Sequence, residues 1–198
     1  MLLVIAGVSF ATVFIINNTG PAPWFAGVAQ AFNGDFAYEH VEALAEMDGR
    51  GIGQDGGARA AAYIAEKFAA YGLEPGGKRD SYIPVLPLDK TVAMLQLDAV
   101  GGGSGYYLEA HGEWEQDGLL LFSMMATEDL IDGRLALRGQ SGESAQALFH
   151  ETGLPTLLVA WRGASEDNWP VEIADEVDPY RLGVTGRMVS LALMSLAR

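Results

Sequence analysis

The chain has 198 residues, which suits one domain with a leader, and 49% of them are hydrophobic, enough for a sizeable core. A net charge of −14 excludes a phosphate-seeking surface of the kind that binds nucleic acid. With no cysteine, disulfides, thiolate zinc sites and a cysteine nucleophile are excluded as well.

Residues 2–16, LLVIAGVSFATVFII, carry no charge. As a helix they would reach about 22 Å, short of the roughly 30 Å bilayer core but within reach of a signal-peptide core. The segment lacks a basic flank, and Ala29-Gln30-Ala31 offers a cleavage pattern well downstream. It reads as a secretion signal or membrane anchor over 1–16, with a buried core helix as the alternative. Read as a signal or anchor, it makes the expected location extracytoplasmic, secreted or membrane-anchored. Residues 17–36, with Pro21 and Pro23, read as a linker.

Tyr38 to Met47 is a short helical pattern, and a glycine-rich loop follows it. No strand precedes that loop and no Lys-Ser/Thr follows, so neither nucleotide-binding fingerprint fits. Ala58 to Tyr71 is the clearest helix: Ala61, Ile64, Phe68 and Tyr71 form an amphipathic stripe expected to pack into the core. Gly72 suits a left-handed stop, and Pro75 prevents continuation.

Tyr82 to Leu88, broken by two prolines, is an edge segment at best. Thr91 to Leu97 predicts a buried strand, Gly101 to Gly105 a turn, Tyr106 to Ala110 a short strand and Leu119 to Thr127 a helix. Ser144 to Thr152 predicts a second amphipathic helix stopped by Gly153. Thr156 to Trp161, TLLVAW, is a continuous apolar run typical of a strand covered on both faces. Asp178-Pro179 sets an N-cap before a first-turn proline, and Leu182, Gly186, Val189, Leu193 and Leu196 keep helical spacing beyond it. Helices alternating with buried strands predict an α/β fold, a layered sheet with flanking helices.

Few residues carry chemistry. His40, His111 and His150 are the three histidines, and no pair of them has metal-ligand spacing, so each reads as a surface or satisfied side chain. No G-x-S-x-G elbow exists, which leaves Ser104 in a glycine turn. Glu172, Asp175 and Asp178 near Asn168 are acidic but lack the spacing of a calcium loop.

Three blocks of the chain resemble metallopeptidase family 28, the dinuclear zinc aminopeptidases. The first runs from His40 to about Leu88, with its two helices around a glycine-rich loop and a Gly-Leu-x-Pro stop. In the second, Leu97-Asp98-Ala99-Val100-Gly101 looks like a family block whose Asp binds zinc. In the third, ALFHETGLPTLLV and IADEVDPYRL look like the family's closing motifs. The resemblance implies a truncated zinc-aminopeptidase fold over residues 37–198, with an internal deletion near 88–91. It makes Asp98 a relic metal-ligand position and Asn168 a degenerate one, where complete relatives carry a late histidine.

The departures are equally specific. The chain has no His-x-Asp and no Glu-Glu pair, and Ser144-Ala145-Gln146 stands where many relatives have Ser-Asp-His. Zinc hydrolysis needs about three protein ligands and a general base. The resemblance therefore implies zinc and peptide substrates in complete relatives. For this chain the missing ligands imply no bound zinc and no catalysis by the family mechanism, and a sheet edge exposed by the deletion would be covered by a protein partner or self-association. The acidic charge leaves no nucleic-acid partner. A membrane would be met through the N-terminal segment. A residual single-metal site would need His111 or His150 beside Asp98.

Overall fold

The computed structural model describes residues 27, 30–50, 54–75, 91–102, 105–128, 134–139, 149–161 and 176–196. The apolar leader, most of the linker, Tyr82 to Leu88, Ser104, Asn168 and most of the Ser144 to Thr152 helix lie outside them. Among the described residues no helix is long and apolar enough to cross a membrane.

Two helices open the described chain. Helix α1 spans Gly34–Ala45, and the Asn33 side chain accepts from the Asp35 amide at 2.8 Å as its cap. It therefore begins inside the segment read as linker. Helix α2 spans Asp55–Ala70, three residues longer at its start than the periodicity predicts. Gly72, at φ +78°, ends it: the Leu73 amide donates to the Phe68 carbonyl and the Gly72 amide to Ala69, each at 3.0 Å. That is the left-handed stop a glycine supplies without a steric penalty.

The rest of the described residues form a four-stranded sheet with two helices. The strands are β1 (Met94–Asp98), β2 (Leu108–His111), β3 (Leu135–Arg138) and β4 (Thr156–Trp161). Helix α3 spans Trp114–Glu128 and helix α4 Pro179–Leu196. The strand order is β1-β4-β2-β3. Strand β4 runs parallel to β1 and antiparallel to β2, and β2 runs parallel to β3. The fold is thus α/β with a layered sheet and flanking helices, as expected.

All six residues of β4 are buried, which explains its unbroken apolar sequence. Leu157, Val159 and Trp161 share a face with Leu108 and Ala110 of β2, and this face meets Leu120, Leu121 and Met124 of α3 and Val184, Met188 and Leu191 of α4. Each fully buried leucine there is worth about 1.5–3 kcal/mol of transfer free energy. Successive strand residues alternate faces. Register then places Gln96, His111, Arg138 and Leu158 in one row of the opposite face, and Asp98, Glu109, Ala136 and Ala160 in the next.

Several expectations change. The α2 stripe is not core: Ile64 is 39% exposed, Phe68 38% and Tyr71 66%. The loop before α2 fixes its rotation, because Gly56 donates to Gly49 O at 3.0 Å and Arg59 to Asp48 O at 2.9 Å. His40 of α1 then bonds the hydroxyls of Tyr63 at 2.6 Å and Tyr71 at 2.9 Å, so polar ring edges meet α1. In α4 the buried face includes Val184, Met188 and Leu191 together with Val189 of the expected series, while Leu193 of that series is 48% exposed. Helix α4 packs on both α1 and α3, and α1 approaches where glycine allows it. Gly186 lies under the Phe32 ring, and a side chain on Gly34 would strike the Pro179 carbonyl. Helix α3 starts five residues before the predicted Leu119, and β3 has no counterpart in the sequence reading.

Candidate functional site

Strands β1 and β4 finish at the same end of the sheet, where ligand sites of α/β folds gather. Asp98 is the last residue of β1, in register with Ala160, and it is exposed. Among the described residues its carboxylate has no hydrogen bond and no ion pair. It does not cap the following turn, the alternative to a relic ligand. Backbone closes that turn instead, with the Gly102 amide donating to Ala99 O at 3.1 Å, and Ala99 takes a positive φ of 44°. Such a conformation costs a non-glycine residue about 1–2 kcal/mol, which neighbouring bonds must offset.

Those neighbours belong to α4 and its N-cap residue Asp178. The Asp178 amide donates to Gly101 O at 2.9 Å, the Thr185 hydroxyl to Val100 O at 3.2 Å, and the Trp161 indole to the Thr185 hydroxyl at 3.1 Å. Arg181 reaches back to Gly102 O at 2.6 Å and Gly105 O at 3.1 Å while lying over the Trp161 ring, 5.1 Å from its centroid. Beside these contacts opens a cavity of about 450 Å³, lined by Gly105, Tyr106, Arg134, Trp161, Asp178, Tyr180 and Arg181. The N-cap role predicted for Asp178 is realised, because its Oδ1 accepts from the Tyr180 amide at 2.8 Å.

A second polar cluster sits at the opposite end of the sheet. Asp117 of α3 is fully buried. Its Oδ1 accepts from the Thr156 amide at 2.7 Å, and its Oδ2 accepts from the Glu113 amide at 2.7 Å. Gln116 donates to His150 O at 3.0 Å and Leu154 O at 2.8 Å. His150 Nε2 lies 3.6 Å from Asp117 Oδ2 and 3.9 Å from Glu113 Oε2. This cluster ties the start of α3 to the start of β4. Both Asp117 oxygens are committed to backbone amides, as buried carboxylates require.

A third group lies on the sheet face away from α3 and α4. Glu109 accepts from Arg138 Nε at 2.9 Å and approaches His111 Nε2 at 3.2 Å.

The three histidines are thus held in three places. Two strand spacings and two residues separate Asp98 from His111, which is about 12 Å in the sheet plane. His150 belongs to the Thr156 end of β4, about four residues or 13 Å from Asp98 along the strands. His40 is engaged by two tyrosines on the α1–α2 pair. Asp98 therefore meets neither histidine that a single-metal site would need. The two-zinc arrangement does not fit these positions: among the described residues no group of three or more His, Asp or Glu side chains is placed to hold a metal ion. Asn168 lies outside the described residues.

Sequence reasoning passed over Asp117, Arg134 and Arg181. Asp117 had a local signal, since acidic residues favour a first helical turn and Glu115 and Asp117 both lie there. Arg134 and Arg181 are brought together only by β3 and α4.

No protein-family model matches the chain, and no curated protein matches it. Among solved structures it is similar to LapB from Legionella pneumophila, at 9% identity and a TM-score of 0.66, over 89% of this chain and 75% of that one. The fold is similar to that of LapB. It is also similar to an aminopeptidase from Aneurinibacillus sp. strain AM-1, with 19% identity over 71% of this chain and a TM-score of 0.46. For BSAP, a zinc aminopeptidase from Bacillus subtilis, the figures are 22%, 58% and 0.47. The chain spans only 31% and 30% of those two aminopeptidases.

Proposed function

We propose that this chain is a zinc-aminopeptidase-like domain that does not hydrolyse peptides by the two-metal mechanism. The observation that carries the reading is the dispersal of Asp98, His111 and His150 over three places, each histidine held by its own partners. A hydrolytic zinc needs about three converging ligands and a water held near a general base. Among the described residues, Asp98 contributes one carboxylate without neighbours to complete the set. The test is turnover of a panel of aminoacyl chromogenic substrates by the full chain, with added zinc, with chelator, and with Asp98→Asn as control. The expected result is no chelator-sensitive turnover in any arm. Turnover abolished by chelator and lost in Asp98→Asn sinks the reading.

The proposal includes an extracytoplasmic location, supported by the uncharged run at residues 2–16. Fractionation of expressing cells and N-terminal sequencing of the product check it, and a chain recovered intact from the cytosol contradicts it.

A second reading, a non-catalytic interaction module on the same fold, draws on one face of α3. Leu119, Phe122 and Met125 recur there at three-residue spacing and are 68%, 62% and 42% exposed. Contiguous exposed apolar side chains mark contact surfaces more often than isolated ones do. Sedimentation of the full chain against Phe122→Ser distinguishes self-association through this face from a monomer.

A further inference from the structure

We infer that the cavity between the start of α4, the segments leading into β2 and β3, and the end of β4 binds a small monocarboxylate with an aromatic body. Its volume of about 450 Å³ lies within the range of roughly 300–1,000 Å³ typical of small-molecule sites. Its walls divide into a fixed part and a free part.

The fixed part is Arg181 with its supports. The guanidinium is held by two loop carbonyls, lies over Trp161, and has Asp178 Oδ2 3.8 Å from its Nε. That places a positive charge in one geometry before any ligand arrives, which lowers the ordering cost of binding.

The free part is Arg134. It is exposed, lines the same cavity, and its side chain makes no hydrogen bond or ion pair among the described residues. Its planar fork of donors matches a carboxylate with two parallel bonds.

Charge selects the class of ligand. Two arginines and one aspartate leave the lining with a net charge of +1 in a chain of −14. Asp178 is committed, with Oδ1 on the Tyr180 amide and Oδ2 beside Arg181, but its charge remains. One net positive charge neutralises a monoanion and leaves a phosphate dianion in excess beside Asp178.

Tyr106 and Tyr180 select the body. They are 82% and 58% exposed and border the cavity, so a flat apolar group placed there would meet two phenol rings. A free aromatic acid and the C-terminus of a peptide ending in an aromatic residue share this chemistry. The site requires no metal and no hydrolysis, so it stands or falls separately from the function proposed above.

The test is a titration of the full chain with N-acetylphenylalanine, followed by amide chemical shifts. Parallel titrations use the neutral amide of the same compound, inorganic phosphate, and a tripeptide ending in phenylalanine. The inference predicts saturable shifts centred on Gly105, Tyr106, Tyr180 and the Trp161 indole, with the amide at least about tenfold weaker than the acid. Arg134→Gln, a change at an exposed position, should weaken the acid by a similar factor, and Tyr106→Ala should weaken it several-fold. Tighter binding of the tripeptide assigns the site to peptide C-termini, and weaker binding assigns it to free acids. No shifts at millimolar acid, equal binding of acid and amide, stronger binding of phosphate, or an unchanged affinity in Arg134→Gln overturns the inference.

Discussion

The α1–α2 pair and the sheet with α3 and α4 are built from comparable raw material and end in different states. Helix α2 has a regular apolar stripe, yet Gly56 is its one buried residue, and α1 has none. Strand β4 has no periodicity at all, and all six of its residues are buried. An apolar stripe removes water only when another element presents a matching surface. Strand β4 has two strand neighbours, with α3 packed on it as well, whereas α2 is held by tyrosine hydroxyls, a loop carbonyl and an arginine. Hydrogen bonds position an element, but their net worth is about 1 kcal/mol each, while a buried side chain contributes two or three times that.

The comparison breaks most visibly if the sheet core is cut. Leu157→Ala should destabilise the chain by about 4 kcal/mol in urea unfolding, as a fully buried leucine beside packed helices does. A loss below about 1 kcal/mol would mean that the β4 layer is not the core. Next in size is Asp117→Ala, which strands the Thr156 and Glu113 amides. About 3 kcal/mol is expected, with a smaller loss for Asp117→Asn, which keeps one carbonyl oxygen as an acceptor.

The junction between the two regions should respond locally. Gly186→Ala pushes a methyl into the Phe32 ring and should cost about 1–3 kcal/mol. Amide exchange in α1 should quicken while the β4 amides keep their protection, and uniform quickening would show that the regions unfold as one unit. The smallest effect belongs to α2: Phe68→Ser, at a position 38% exposed, should stay within about 0.5 kcal/mol of the parent. A loss of 2 kcal/mol or more there would reveal a covering surface and erase the contrast.

Legibility follows the range of the forces involved. TLLVAW announced β4 to the residue, because a strand covered on both faces has no exposed position and so no polar alternation to disguise it. Gly72 and Gly153 were readable as stops, and both take positive φ, at 78° and 80°, for reasons confined to their own residues. Asp178-Pro179 was readable because a cap acts within one turn. Strand β3 was not, since the four residues Leu135 to Arg138 become a strand by pairing with β2. Asp117 was missed as an anchor because one of its partners, Thr156, lies 39 residues away. The Arg134–Arg181 cavity was missed for the same reason, its walls coming from four separate segments.

By itself, the sequence determined the class of fold, the positions of most helices and of the central strand, the local stops and caps, and the sparseness of metal-binding side chains. Only the tertiary structure decided which apolar faces became core, where each histidine found its partners, and which charges came to share a cavity. The physical reason is that periodicity and capping act over a few residues and specify that a face or an end exists. What lies against that face depends on the register and docking of elements far apart in the chain.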